Sequence, residues 1–276
     1  MGLKIPLISG QGARIPAVVL AAGFVAACAG TPDANGINDP FEPTNRKIHG
    51  FNKGVDRMFV GPASKGYGVV PEPLKLALSN VADTLDLPGD IVNNLLQLRL
   101  RDAGQNSLRL FVNVTAGMGG LFDIAGDTGL HGKPTDFGET LHVWGIGEGP
   151  YMELPLAGPS TARDTVGMLA DIALNPVRLA LPTKEANAAT IIQLFSRLGD
   201  RDRFSETVDS ILYESADSYA QARLLYLQNR RFELGQAPGG ADTRDDGFID
   251  PYADAASADA PSDDGFIDPY EDPYAQ

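Results

Sequence analysis

One cysteine, Cys28, closes a short apolar run, and its position restricts what the rest of the chain can become. Lys4 and Arg14 are basic, and no acidic residue precedes Asp33. Ile15–Ala27 is apolar, rich in alanine and interrupted by Pro16. A helix that crosses a bilayer needs about 20 apolar residues, so this run is too short and reads as an export signal. Val25-Ala26-Ala27-Cys28 has the aliphatic–small–small–cysteine order at which such a signal is cut and the thiol receives a diacylglyceryl thioether. A lone cysteine has no internal partner for a disulfide in an oxidising compartment. The expectation is a signal segment over 1–27, lipidation at Cys28, and a Gly/Pro/Asn-rich tether over 28–37. Ala29, and not Asp, follows the cysteine, which points to the outer of two membranes by a receptor-read sorting rule.

Beyond the tether the chain divides by charge. The formal net charge is −14, and loss of Lys4 and Arg14 with the signal leaves about −16. Residues 236–276 hold eleven acidic residues against Arg244 alone, so the body over 38–235 is only mildly acidic. No basic patch is visible, which argues against a nucleic-acid partner. The tail contains DDGFIDPY twice, at Asp245–Tyr252 and Asp263–Tyr270. It is too acidic and too poor in aliphatic residues to fold alone. It reads as a disordered, solvated tail, or as two copies of a peptide that docks on a partner.

Within the body, helical signals outnumber strand signals. Asp86-Leu87-Pro88 suits a helix start, with Ile91, Val92, Leu95 and Leu96 on one face. Asp102 is placed to cap a second helix, whose Leu108, Phe111, Val112 and Thr115 share a face before Gly117. Ser205 is placed to cap a third, with Val208, Ile211, Leu212 and Ala216 aligned. Ser218 and Gln221 have the spacing of a capping box that opens a fourth through Arg230. The sequence therefore predicts a mainly α domain of short amphipathic helices. No run of 18 apolar residues follows Cys28. Helices of this kind lie in a membrane interface or pack as a soluble core, and periodicity alone does not choose.

Residues for chemistry are scarce. His49, His131 and His142 are far apart and have no ligand spacing, so no metal or other cofactor is expected. There is no G-x-S-x-G elbow, and no catalytic residue is assigned. Gly126–Pro134 resembles a phosphate loop only superficially, with Asp127 and Pro134 at positions where that loop needs glycine and a hydroxyl. The glycines at Gly117, Gly119 and Gly120 suit either a helix C-cap with its turn or a mobile hairpin.

Many short blocks resemble one family. Asn38-Asp39-Pro40-Phe41-Glu42 with Asn45-Arg46, and Val92-Asn93-Asn94-Leu95-Leu96-Gln97, look like the MlaA (VacJ) lipoproteins. So do Arg109–Asn113 running into Gly117–Gly126, and Asp136-Phe137-Gly138-Glu139 followed by Gly149-Pro150-Tyr151. The resemblance spans about 38–235 in one order, and the repeated tail stands outside it. It implies a ring of amphipathic helices around a central channel, set in the periplasm-facing leaflet of the outer membrane. It also implies removal of phospholipid from the outer leaflet and retrograde transfer to a soluble periplasmic carrier, preserving lipid asymmetry. A trimeric porin is the implied membrane partner. Gly117, Gly119, Gly120, Phe122 and Asp123 are then expected beside the channel. Two other functions stay open: a non-conducting scaffold that organises porins, and a lipid hydrolase.

Overall fold

The computed structural model describes residues 37–236, so Cys28, the signal segment and both copies of the repeat lie outside the described residues. The fold is mainly α. Helix α1 spans Glu42–Val55 and continues through a π-helical turn at Asp56–Val60 into α2, Gly61–Gly68. Helices α3 (Glu72–Leu96), α4 (Leu100–Thr115), α5 (Ile124–Asp127) and α6 (Phe137–Val143) follow. A hairpin of β1 (Tyr151–Leu154) and β2 (Gly158–Thr161) leads into α7, Ala162–Leu174. Then come α8 (Pro176–Ala180), α9 (Thr183–Arg203), α10 (Ser205–Asp209), a second π-helical turn at Ser210–Glu214, and α11 (Ser218–Glu233). Among the described residues, no helix is long and apolar enough to cross a membrane.

Several local readings are corrected. Asp86-Leu87-Pro88 does not start a helix: Pro88 lies inside α3, which begins behind Pro71 with Pro73 in its first turn. An internal proline forfeits one hydrogen bond, here to the Thr84 carbonyl, and tertiary packing along α4 and α9 holds the helix through it. Asp102 sits inside the first turn of α4, where it complements the helix dipole while Arg99 occupies the cap position. Ser205 is likewise inside α10, with Phe204 at the cap and no side-chain cap. The cap of α11 is Asp217, which accepts from Ala220 N–H at 3.1 Å, so Ser218 is freed for a tertiary contact. That helix runs to Glu233, beyond Arg230. The antiparallel hairpin, with Tyr151 opposite Thr161 and Leu154 opposite Gly158, adds two four-residue strands to the helical expectation.

The distribution of polarity is inverted. Among the described residues, seventeen buried side chains are polar or charged and thirteen are hydrophobic, six of those alanine. The fully buried set includes Asn94, Asn106, Asn113 and Thr140. Ordinary interiors are filled by Ile, Val, Leu and Phe, and buried polar groups are the exception. In α4 the buried stripe is Ala103, Asn106, Arg109 and Asn113, while Leu108 and Phe111, the face picked out by periodicity, are 51% and 65% exposed. In α3, Asn93 and Asn94 are buried and Val92, Leu95 and Leu96 are exposed. Many large apolar side chains thus stay exposed while polar ones fill the packed interior.

Candidate functional site

The polar interior is partly open. One cavity of about 550 Å³ lies between α3, α4, the 132–136 segment, α7 and α9. A second, of about 950 Å³, lies between α3, α7, α9 and α11. Asp83, Asp86, Asp136, Asp171, Asn175 and Arg197 line both, so the two volumes meet at a charged neck. Away from the neck, Leu87, Val92, Leu96, Phe137 and Leu174 line the first, and Met168, Ile172 and Leu194 the second. The passage is amphipathic along its length.

Its charges come from helical spacing. Asp83, Asp86 and Asp90 fall at i, i+3 and i+7 on α3 and so share a face. Burial, reinforced by neighbouring carboxylates, raises Asp83 above the usual carboxylate range, and burial also raises Asp86 despite Gln193 and Arg197. Asp90 is pushed up to about 7 by burial, although Thr135 N–H donates to it at 3.1 Å. Asp171 is raised by burial while accepting from Asn93 and from Phe137 N–H, both at 3.0 Å. Arg230 reaches from α11 to Asp136 at 2.7 Å and Asp164 at 3.2 Å. Arg197 lines both cavities and acts on Asp86 through its charge. Carboxyl groups raised by burial and the guanidinium groups of Arg197 and Arg230 share this lumen, an arrangement that offers hydrogen bonds to a polar or charged guest.

Buried amides hold the wall in place. Asn94 and Asn106 donate to the Lys133 carbonyl at 3.2 and 2.8 Å, and Asn106 accepts from Lys133 N–H at 2.9 Å. Arg109 donates to the Leu130 carbonyl, and Gln105 to that of His131 at 2.6 Å. The segment that superficially resembled a phosphate loop is thus strapped along α3 and α4 through its carbonyls.

The glycine turn sits at the end of α4. Gly119 N–H and Gly120 N–H donate back to the Val114 and Asn113 carbonyls at 3.0 and 2.9 Å. Met118, Gly119 and Gly120 take positive φ of 54°, 77° and 93°. A Cβ on Gly120 would stand 2.8 Å from Thr84 Oγ1, so the turn lies directly on α3 beside Asp83. Gly117 is equally crowded, with the Asn113 carbonyl 2.6 Å from a Cβ there. Phe122 projects outward, 54% exposed. Asp123 caps α5; burial raises it, but Asn113, Gly126 N–H and Arg109 outweigh burial and hold its carboxyl below the usual range. Its charge acts on Asp83. These five residues lie together at one edge of α3.

The remaining motif residues gather elsewhere, around the hairpin. Asp39 accepts from Asn45 at 2.8 Å, from Arg223 at 2.6 Å and from the Tyr219 hydroxyl. Asn45 bridges one edge of β1, donating to the Tyr151 carbonyl at 3.2 Å and accepting from Glu153 N–H at 3.1 Å. Arg46 makes a bidentate pair with Asp217 at 3.0 and 2.9 Å and stacks over Tyr219. Pro40 stands in the turn that precedes α1. Gly149 has φ +72° and leads into Pro150, whose carbonyl accepts from Ala162 N–H at 2.9 Å. Tyr151, 1% exposed, packs edge-on against Tyr219 and Tyr226. Asp136, Phe137 and Gly138 join the two regions: Asp136 caps α6, accepting from Glu139 N–H at 2.7 Å, and Phe137 packs on Trp144. Gly138 lies where α6 crosses α7, and a Cβ on Gly167 would overlap its backbone.

One chemical cluster invites a catalytic reading. Ser218 Oγ lies 3.2 Å from His49 Nε2, and His49 Nδ1 lies 3.3 Å from Glu153. That is the order of a serine–histidine–acid relay. However, neither Ser218 nor His49 lines any of the three described cavities. The Ala220 and Tyr219 N–H groups at the α11 terminus, which would stabilise an oxyanion, are already taken by Asp217. The cluster ties α1, β1 and α11 together.

The sequence reading missed the lumen residues Asp83, Asp86, Asp90, Asp171, Arg197 and Arg230. The i, i+3, i+7 spacing of acids through a helix with a strong apolar face was the available signal.

Comparisons with known proteins agree with this architecture. The family model described as MlaA lipoprotein matches residues 37–233. An uncharacterized protein of Rickettsia bellii is 34% identical over 206 residues, covering 73% of this chain and 80% of the relative. The intermembrane phospholipid transport system lipoprotein MlaA of Shigella flexneri is 33% identical over 225 residues, 79% of this chain and 88% of its own. That of Escherichia coli strain K12 is 32% identical over the same span. A solved structure concerned with the structural basis for maintenance of bacterial outer membrane lipid asymmetry aligns with a TM-score of 0.60 at 29% identity, covering 71% of this chain and 98% of that one. With 197 of its residues matched by the family model and an inside-out helical body around a charged passage, this chain belongs to the MlaA lipoprotein family.

Proposed function

We propose that this protein is an outer-membrane lipoprotein that takes mislocalised phospholipid from the outer leaflet and passes it inward, maintaining lipid asymmetry. The observation that carries the reading is the inverted polarity: apolar side chains face out around an open, charged, amphipathic interior. Turning a Leu or Phe from water to lipid is worth about 1.5–3 kcal/mol. Residues such as Phe59, Leu98, Phe111 and Leu179, each more than 60% exposed, therefore favour immersion in a leaflet. A phospholipid crossing the leaflet keeps its head group in the polar lumen, where Arg197 and the protonatable aspartates replace water. An acyl group on Cys28, with the 28–37 tether, holds the body at the periplasm-facing leaflet. Gly117, Gly119 and Gly120, with Phe122 and Asp123, form the hairpin beside the passage. A trimeric porin seats the body in the membrane and a soluble periplasmic carrier accepts the lipid. No nucleotide motif was found in the sequence, so direction comes from those partners.

The test is deletion of the gene and measurement of phospholipid in the outer leaflet, which rises. Wild-type chain restores the low level; Gly89→Trp, which fills the first cavity from a lining position with open space around its Cβ, does not, although porin co-purification persists. Full restoration by Gly89→Trp overturns the lipid-route reading in favour of a scaffold.

A further inference from the structure

A third concavity, of about 660 Å³, differs from the other two in being almost wholly apolar. Its walls are Phe204, Val208, Ile211, Leu212 and Leu225, from α10, the second π-helical turn and α11. Pockets that hold small ligands are commonly about 300–1,000 Å³, with mostly apolar linings. Phe204 and Leu225 are 54% and 48% exposed, so the groove is not a sealed part of the core.

Two observations say what it holds. First, Tyr226 and Asn229 of α11 line both this groove and the second, charged cavity. The apolar volume therefore adjoins the polar one across one helix edge, with Arg230 next along that edge reaching Asp136 and Asp164. Second, the wall carrying Ile211 and Leu212 is π-helical, a rare irregularity that is frequent at functional sites. A charged compartment adjoining a greasy one across Tyr226 and Asn229 matches a molecule that has both parts.

We infer that this groove is an acyl-chain subsite: a phospholipid with its head group in the second cavity lays one acyl chain against Phe204, Ile211, Leu212 and Leu225. The inference rests on the proposed lipid route and adds a resting position to it. The lipid pauses half inside the passage, its chain shielded by protein while the head group stays in the lumen. Tyr226, whose hydroxyl donates to Asp164 at 2.8 Å, forms the sill between the two compartments.

The test uses the full chain purified in detergent with one equivalent of phosphatidylglycerol. The photoreactive residue p-benzoylphenylalanine replaces Leu212, Val92 or Leu179 in separate preparations, and intact-mass analysis reads the adducts. Leu212 and Val92 acquire a phospholipid mass, while Leu179, an outward-facing position stripped by detergent, does not. Leu225→Asn then lowers the Leu212 adduct about tenfold, the loss of one leucine-sized apolar contact, and leaves the Val92 adduct unchanged. An adduct at Val92 with none at Leu212 overturns the subsite and spares the lipid route. No adduct at either position overturns both. A Leu212 adduct with residues 245–252 or 263–270 of the chain's own tail also overturns it, making the groove a seat for the repeat.

Discussion

The clamp around the hairpin and the passage between α3, α7, α9 and α11 are built from the same residue types, yet they behave oppositely. In the clamp, Asp39, Asn45, Arg223 and Glu153 spend their hydrogen bonds on one another and on β1. Arg223 and Asp39 leave only 9% and 3% of their side chains exposed, and Tyr151 and Tyr219 pack between. In the passage, Asp83, Asp86, Asp90 and Arg197 face open volume. A satisfied polar network closes a structure and specifies its geometry; the same groups left facing a cavity become a surface for a guest. Burial has raised Asp83, Asp86 and Asp90, whereas Asp164, which also lines the second cavity, is held below the usual range by Arg230 and Arg163 against its own burial.

The sharpest way to break this contrast is Asp39→Ala. It leaves Arg223 in the interior with only Glu42, 3.6 Å away, as an acidic partner, and losing one partner of a buried pair costs about 3–5 kcal/mol. Chemical unfolding in detergent measures it; a loss under about 1 kcal/mol means that the clamp is not closed. Gly167→Ala comes next. A methyl there overlaps the Gly138 backbone at the α6–α7 crossing, and overpacking costs about 1–3 kcal/mol. Because Asp136 and Asp171 flank that crossing, outer-leaflet phospholipid should rise in cells carrying it; unchanged lipid levels assign the crossing to the clamp alone.

The smallest effect has the opposite sign. Asp90 is raised to about 7 in the folded protein, above its value in an unfolded chain. Between about pH 4 and 7 the folded state therefore binds more protons, and its stability falls as pH rises through 7. Asp90→Asn keeps an acceptor for Thr135 N–H and removes the buried charge. It should raise Tm at pH 8 by about 2–4 °C, roughly 1 kcal/mol, a modest share of the shift because the cavity admits water. It should change little at pH 4. Equal melting of both proteins at pH 8 would mean that Asp90 is as well solvated as the clamp is dry.

Much of the helical body was legible because periodicity survives whatever the helix faces. Ile91, Val92, Leu95 and Leu96 do share a helix, as do Leu108, Phe111 and Val112. Ends were less legible: Asp86-Leu87-Pro88 imitates a start, and Ser218 competes with Asp217 for the cap, because local signals are worth about 1 kcal/mol and packing overrides them. The motif residues were found without their partition, since nothing in spacing says that Asp39 closes a clamp while Asp136 lines both cavities.

By itself the sequence determined a helical body, an acidic repeated tail and the family motifs, and it raised the expectation of an export signal ending at Cys28. Only the tertiary structure decided that many large apolar side chains stay exposed and that polar groups meet around two adjoining cavities. The physical reason is that a helix's periodicity records the difference between its two faces, and either face is a stable inside when the other has lipid to meet.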